Sequence, residues 1–277
     1  MILVLGATGQ LGTALMRLEN ISATPVTRAE LDITDLDAIG PFITTHRPKA
    51  VINCAAYNAV DRAEVEEDQA RLADLVNGFA VERLAAVCAE IGARFVTFSS
   101  DYVFDGTNTQ PYVESDPVRP INRYGESKEL GERLASQTNP EMLLVRTSWV
   151  HSGTHPNFAA TMIRIGREGG AKVVDDQVGS PTLVADLAPA VVAAVEGGVT
   201  GILHLTNQGA VSWYELAREV LGYAGLDPEV IQPCTTADYP QPAARPAYSV
   251  MESELDTDIV LPPYGPSMQR AVRSLSR

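Results

Sequence analysis

A chain of 277 residues with 45% hydrophobic and 20% charged side chains has ordinary globular composition, which excludes a disordered segment. No window holds the roughly 20 uninterrupted apolar residues that a bilayer-spanning helix needs. The formal net charge is −14 and there is no basic stripe, which argues against nucleic acid and anionic membrane surfaces as partners.

Taken in chain order, the sequence opens on ILVL at Ile2–Leu5. No basic segment precedes this run and no cleavage pattern follows it, so it predicts a buried first strand rather than a signal peptide. A glycine-rich turn and an amphipathic stretch, LGTALMRLEN, come next, and a weak strand is expected around Thr24–Thr27. Helical periodicity leads to AVIN at Ala50–Asn53, and a long helix over Asp68–Ile91 precedes RFVTFSS at Arg94–Ser100. A helix over Tyr124–Gln137 is followed by MLLVRTS at Met142–Ser148. Strand, helix and strand repeated in this way predict an α/β fold with a parallel sheet covered on both faces. After Ser148 the rhythm changes. Short strands at Lys172–Val174 and Ile202–Thr206 mix with helices around Asn157–Arg167, Leu183–Glu196 and Ser212–Tyr223, and a proline-rich connection runs from Gln232 to Pro246. We expect a dinucleotide-binding domain over residues 1–150 and a smaller C-terminal α/β substrate region over 151–277, with some later segments returning to the main sheet. Cys54, Cys88 and Cys234 are odd in number and widely spaced, with no CxxC. They read as reduced residues of a cytoplasmic protein.

The turn GATGQLG places Gly6, Gly9 and Gly12 between the first strand and the first helix. A chain that turns tightly there lets its backbone approach a pyrophosphate, and it packs helix on strand with no Cβ between them. The helix N-terminus supplies N–H groups and a positive dipole end to the phosphates. The spacing is G-x-x-G-x-x-G, and its place after a strand and before a helix is the context that supports nucleotide binding. It makes the fold a Rossmann-type, doubly wound parallel sheet. In PVTRAELDITD, Arg28 follows the weak second strand. An arginine there suits the 2′-phosphate of NADPH, where an acid would suit NADH; a solvated surface charge is the plain alternative. Asp32 is placed near the adenine or as a helix N-cap.

The fourth strand ends in FSSDYVFDG, so Ser100 and Asp101 lie at a carboxyl end that faces a ligand crevice. In RYGESKELGE, Tyr124 and Lys128 are one helical turn apart and share a face. A free tyrosine titrates near about 10, and a neighbouring ammonium is expected to lower that value and let the phenol protonate a developing alkoxide. The Ser100 hydroxyl would hold the same oxygen. As an isolated pair, Tyr124 and Lys128 would be an ordinary solvated helix pair; the glycine turn and the serine-terminated strand change that reading.

Four stretches together, GATGQLG, NCAAYNAVDRAE, FSSDYVFDG and YGESKELGE, resemble the extended short-chain dehydrogenase/reductases. With VVDDQVGSPT at Val173–Thr182 and ARPAYSVME around Arg245, the sequence is similar more narrowly to the dTDP-4-dehydrorhamnose reductase family. The resemblance implies NADPH-dependent reduction of the C4 ketone of dTDP-4-dehydro-L-rhamnose to dTDP-L-rhamnose. It implies Tyr124 as proton donor, Lys128 as ribose anchor, and Ser100 where the family has threonine. It also implies cofactor contacts at Gln10, Leu11, Asp32, Ile33, Ala55, Ala56 and Tyr57, and substrate contacts at Asp101 and Trp149. Read from its residue type alone, Trp149 is equally a core residue. Arg245, in the proline-rich loop, is the candidate cation for the substrate diphosphate, with a surface salt bridge as its plain alternative. Some family members dimerise through magnesium held by glutamates. The first helix here has no acid over Thr13–Arg17, so the expectation is a monomer or a homodimer without a bridging metal. Two other readings stand beside this one: a ketoreductase for a related nucleotide-linked 4-keto-6-deoxysugar, and a non-catalytic NADP-binding regulatory subunit of the same fold. The second has no need of a proton donor, which Tyr124 supplies. The acid run Asp61–Ala70 reads as a solvated face, and His151 and His155 lack the context of a metal site.

Overall fold

A computed structural model describes residues 1–275. Its centre is a six-stranded sheet. The strands are β1 (Ile2–Leu5), β2 (Ala23–Val26), β3 (Ala50–Asn53), β4 (Arg94–Ser100), β5 (Leu143–Thr147) and a late strand, Gly201–His204. The order is Gly201–His204, β5, β4, β3, β1, β2, with every neighbouring pair parallel. The chain runs outward from β1 to β2 and then returns to the other side of β1. That reversal is the switch point at which such sheets open a crevice beyond their carboxyl ends.

The near-continuous apolar runs of β1, β3 and β5 follow from burial on both faces. One face packs Leu3, Leu5, Val51, Phe95 and Leu144 against Ile39 and Leu84, carried by α2 (Leu36–His46) and α5 (Ala80–Ile91). The other packs Val4, Ile52, Val96 and Val145 against Leu15, Leu187 and Val191. These come from α1 (Gln10–Met16) and from the helix Val184–Glu196. A separate, smaller core gathers Met162, Leu216, Val220, Ile231 and Met268. It joins the helices Phe158–Arg167, Trp213–Tyr223 and Tyr264–Leu275 to a short parallel pair, Ala171–Val174 with Ile231–Cys234.

The helix expected over Asp68–Ile91 is present, with a change of pitch inside it. Helices α3 (Val60–Val65) and α4 (Glu67–Ala73) lead into a π-helical turn, Asp74–Phe79, before α5. The turn lies at a close crossing with α6 (Arg123–Thr138). A Cβ on Gly131 would come within 2.0 Å of the Asn77 carbonyl oxygen, so only a glycine lets α6 lie there. The wider turn also aims the Asn77 side chain inward, a use for which π-turns recur near functional sites. No helix among the described residues is long and apolar enough to cross a membrane.

Candidate active site

At the carboxyl end of β1 the chain must reverse within three residues. Gly6 adopts φ +67, and a Cβ there would sit 2.6 Å from the Ala55 amide nitrogen. At Gly12 a Cβ would meet the Gly6 carbonyl oxygen at 2.4 Å. The turn therefore requires these two glycines. At Gly9 a Cβ would meet only that oxygen, at an ordinary 3.4 Å. Gly9 is the N-cap of α1, with no side-chain cap and no acid in the first turn. The helix end is left bare, with the character of an anion seat. Beside it Gln10 Oε1 is buried without a partner.

A cleft of about 170 Å³ opens next to the turn, lined by Arg28, Asp32, Ile33, Ala55, Ala56 and Tyr57. Arg28 and Asp32 pair at 3.0 Å, and the Arg28 side chain is 80% exposed. Thr34 donates to Asp32 through its backbone N–H and its hydroxyl and, with Arg28, holds that carboxyl below the usual range. Asp32 is not the helix cap; Asp35 caps α2. Tyr57 is fixed through its backbone, donating N–H to Asn77 Oδ1 at 3.0 Å and accepting from Asn77 Nδ2 at 3.1 Å. Asn77 also donates to Ser127 Oγ on α6 at 2.9 Å. It ties the cofactor-side loop to the helix of Tyr124.

Helix α6 starts where Asn122 accepts from the Gly125 N–H at 2.8 Å, a cap of the kind that contributes about 1 kcal/mol. Gly125 lies so close to the Tyr102 carbonyl that a Cβ would reach 2.1 Å. The first turn of α6 is thereby pressed against the end of β4. This brings Ser100, Tyr124 and Lys128 together. The Tyr124 hydroxyl is 3.4 Å from Asn58 Oδ1, and the Tyr102 ring meets the Tyr124 ring edge-on at 5.7 Å. Lys128 Nζ donates to the Phe98 carbonyl at 3.2 Å and stands 5.8 Å from the Tyr124 ring centre.

The expected direction for Tyr124 is reversed. Burial pushes its phenol up, the Asp101 carboxyl adds to this, and a hydrogen bond with Ser100 works only partly against them. Burial also pushes the Lys128 ammonium down to about 8, with Glu132 opposing. Desolvation sets both directions, and Lys128 is not among the groups that shift Tyr124. The phenol keeps its proton, which is the form an acid needs.

Asp101 is 2% exposed. It accepts from Ser100 Oγ at 2.9 Å and from Ser249 Oγ at 2.6 Å, with a further hydrogen bond from Trp149. Burial pushes its carboxyl up to about 6. Trp149 holds a left-handed backbone, φ +46, and stacks on Trp213 at 3.5 Å. Gly179 lies against its indole, where a Cβ would come within 2.4 Å. Arg245 is committed to Asp61 by two bonds of 2.5 and 2.8 Å and also bonds Tyr102. Asp61 comes from the acid run read as a solvated face, so that reading misses one residue. His151 is buried with Nε2 unpartnered, and His155 contacts the Thr8 carbonyl. No group of three metal-type side chains occurs among the described residues. Asn77, Ser249 and Asp61 were not predicted for the site. The glycine in VNGFA, inside an expected helix, was the one signal for the first.

The sequence matches the family described as the RmlD substrate binding domain over residues 1–277. A dTDP-4-dehydrorhamnose reductase of Streptomyces griseus is 42% identical over 260 residues, covering 90% of this chain and 84% of that protein. The chain belongs to the dTDP-4-dehydrorhamnose reductase family. A dTDP-4-keto-6-deoxy-D-glucose reductase of Streptomyces niveus is 40% identical, covering 90% and 87%. A solved dTDP-4-dehydrorhamnose reductase of Bacillus anthracis, in complex with NADP, superposes with a TM-score of 0.92 at 34% identity, covering 97% of each chain. The bare helix end, the unpartnered Gln10 oxygen and the adjoining cleft of this reductase-family chain fit a dinucleotide.

Proposed function

We propose that this chain reduces the C4 ketone of dTDP-4-dehydro-L-rhamnose to dTDP-L-rhamnose. The observation that carries the proposal is the meeting of Ser100, Tyr124 and Lys128 at the end of β4, beside the glycine turn. NADPH, when bound, supplies the hydride. Gly6, Gly9, Gln10, Leu11 and Gly12 hold the pyrophosphate at the start of α1. Ile33, Ala55, Ala56 and Tyr57 take the adenosine end beside Asp32. The exposed Arg28 guanidinium is free to turn from Asp32 to the 2′-phosphate, which favours NADPH over NADH.

Tyr124 stays protonated until charge develops on the ketone oxygen, and then protonates it. Ser100 orients that oxygen. Lys128 holds the ribose and, as an ammonium, stabilises the phenolate that remains. Asp101 and Trp149 face the sugar, and Arg245 stands at the rim for the diphosphate. The dinucleotide half is residues 1–150, and the small core of 151–277 closes the sugar side, while Gly201–His204 and its preceding helix belong to the main sheet. The chain acts in the cytoplasm, which suits three free cysteines. It works as a monomer or as a homodimer without a bridging metal.

The test is NADPH oxidation with the keto-sugar, comparing wild type with Tyr124→Phe. The variant should lose about 10²- to 10⁴-fold in turnover while NADPH affinity changes little. Equal turnover of the two would sink the assignment of Tyr124. The Streptomyces niveus relative, nearly as similar, favours a second reading in which the substrate is dTDP-4-keto-6-deoxy-D-glucose. The same assay with each keto-sugar separates the two.

A further inference from the structure

Ser100 has one proton to place. Its Oγ accepts the Tyr102 N–H at 3.2 Å and donates to Asp101 Oδ1 at 2.9 Å. A serine that spends its only proton on a carboxylate has none for a ketone oxygen. With Asp101 ionised, Ser100 acts beside Tyr124 as an acceptor alone. A carboxylate there also places negative charge close to the oxygen on which negative charge develops, which opposes the reaction.

The surroundings of Asp101 favour the neutral acid. Its partners Ser100, Ser249 and Trp149 are uncharged donors that favour the carboxylate, and burial, the larger effect, works against them. The titratable groups facing it are two phenols, Tyr102 on its own turn and Tyr124 on α6. Lys128, also on α6, gives a hydrogen bond to the Phe98 carbonyl. Arg245, from the loop above, is held by Asp61 and reaches Tyr102. Among the described residues no cation forms a salt bridge with Asp101. A buried carboxyl without a counter-charge keeps its proton to higher pH, in line with its upward displacement to about 6. A ligand that covers the site would exclude more water and add to this effect.

We propose that Asp101 works as a protonated carboxylic acid that donates to Ser100 Oγ, so that the Ser100 proton points at the substrate's C4 oxygen. The proposal rests on the ketone-reductase reading. Asp101 is a positioning residue, and its proton does not leave it. The hydride adds to C4, the phenolic proton of Tyr124 adds to the oxygen, and Ser100 and Asp101 keep theirs. Ionisation of Asp101 turns the Ser100 proton back toward the carboxylate and lowers the rate.

Two measurements test this. The first is single-turnover NADPH oxidation with keto-sugar prepared beforehand, in buffers from about pH 5.5 to about pH 9. The wild-type rate should fall about tenfold per pH unit above the Asp101 ionisation. Asp101→Asn presents an N–H to Ser100 at every pH, so the ratio of variant to wild type should climb about tenfold per pH unit along that limb. Asp101→Ala has no group to titrate either, so its ratio to wild type should climb in the same way, but its rate should lie below that of Asp101→Asn at every pH because it presents no donor to Ser100. The second is the infrared difference spectrum of wild type against Asp101→Asn, each with NADPH bound. It should contain the carbonyl stretch of a protonated carboxyl below the limb and lose it above. A limb that survives in full in Asp101→Asn overturns the proposal. So does a carboxylate-only spectrum across the range in which the enzyme is active. A flat wild-type profile with the carboxyl band present throughout supports it. Failure of wild type to oxidise NADPH at any pH sinks the ketone-reductase reading instead, while the infrared band still reports the state of Asp101.

Discussion

Two buried acids, one on the catalytic helix and one in the turn after β4, are neutralised in different ways. On α6 itself, Glu132 meets Arg146 on β5 through two bonds of 2.9 and 2.7 Å, and both side chains are almost wholly buried. Arg146 lies over the Phe104 ring and bonds His204 Nε2, so the pair is clamped by helix, sheet and loop. In front of α6, Asp101 has hydroxyls and an indole for company and no cation. The first acid has its charge balanced permanently. The second can be neutral only by holding a proton. A fold that keeps a guanidinium for the acid doing structural work, and withholds one from the acid beside the chemistry, separates rigidity from responsiveness.

Breaking that contrast should be costliest on the structural side. Arg146→Met leaves Glu132 charged and unpaired in the core and should destabilise the protein by about 3–5 kcal/mol, read as a lower denaturation midpoint. Adding Glu132→Leu should recover most of the loss. A single variant as stable as wild type would mean that water already reaches the pair.

On the Asp101 side neutralisation should act in the opposite direction. The folded protein holds the Asp101 proton to about 6, against 3.8 in the free side chain. Folding therefore binds this proton more tightly, and stability falls as pH rises between those two values. The full cost above the window corresponds to about 3 kcal/mol. Asp101→Asn should remove it, so the variant should be the more stable protein near about pH 8 and gain little below about pH 4. Equal gains at both pH values would contradict a titrating cause.

The smallest effect sharpens the same comparison. Ser249→Ala deletes one neutral donor to Asp101, worth about 1 kcal/mol. It should raise the pH at which the infrared carboxyl band disappears and leave the Glu132–Arg146 pair untouched. A downward move would show that Ser249 favours the protonated form.

Much of this arrangement was legible from residue order. Four apolar runs, each followed by helical periodicity, are enough to indicate a parallel sheet, and GATGQLG between strand and helix indicates the phosphate seat. The Tyr124–Lys128 spacing shows a shared helical face. What spacing cannot convey is depth. The effect of Lys128 on Tyr124 was expected from proximity, yet burial dominates, because desolvation depends on everything packed around the pair. Contacts between distant segments were equally hidden. Ser249 reaches Asp101 across 148 positions, and Asp61 reaches Arg245 across 184. The π-turn lies where a glycine of another helix crosses, a contact that leaves no period in its own segment.

The stacked indoles have one more consequence. The chain has two tryptophans, and Trp149 and Trp213 lie face to face with ring planes 8° apart. Two identical chromophores this close share their excited state. Tryptophan fluorescence and the exciton signal in circular dichroism therefore report on one place, the seam where the small core meets the site of Asp101. The protein carries its own optical gauge of that seam, readable without a label.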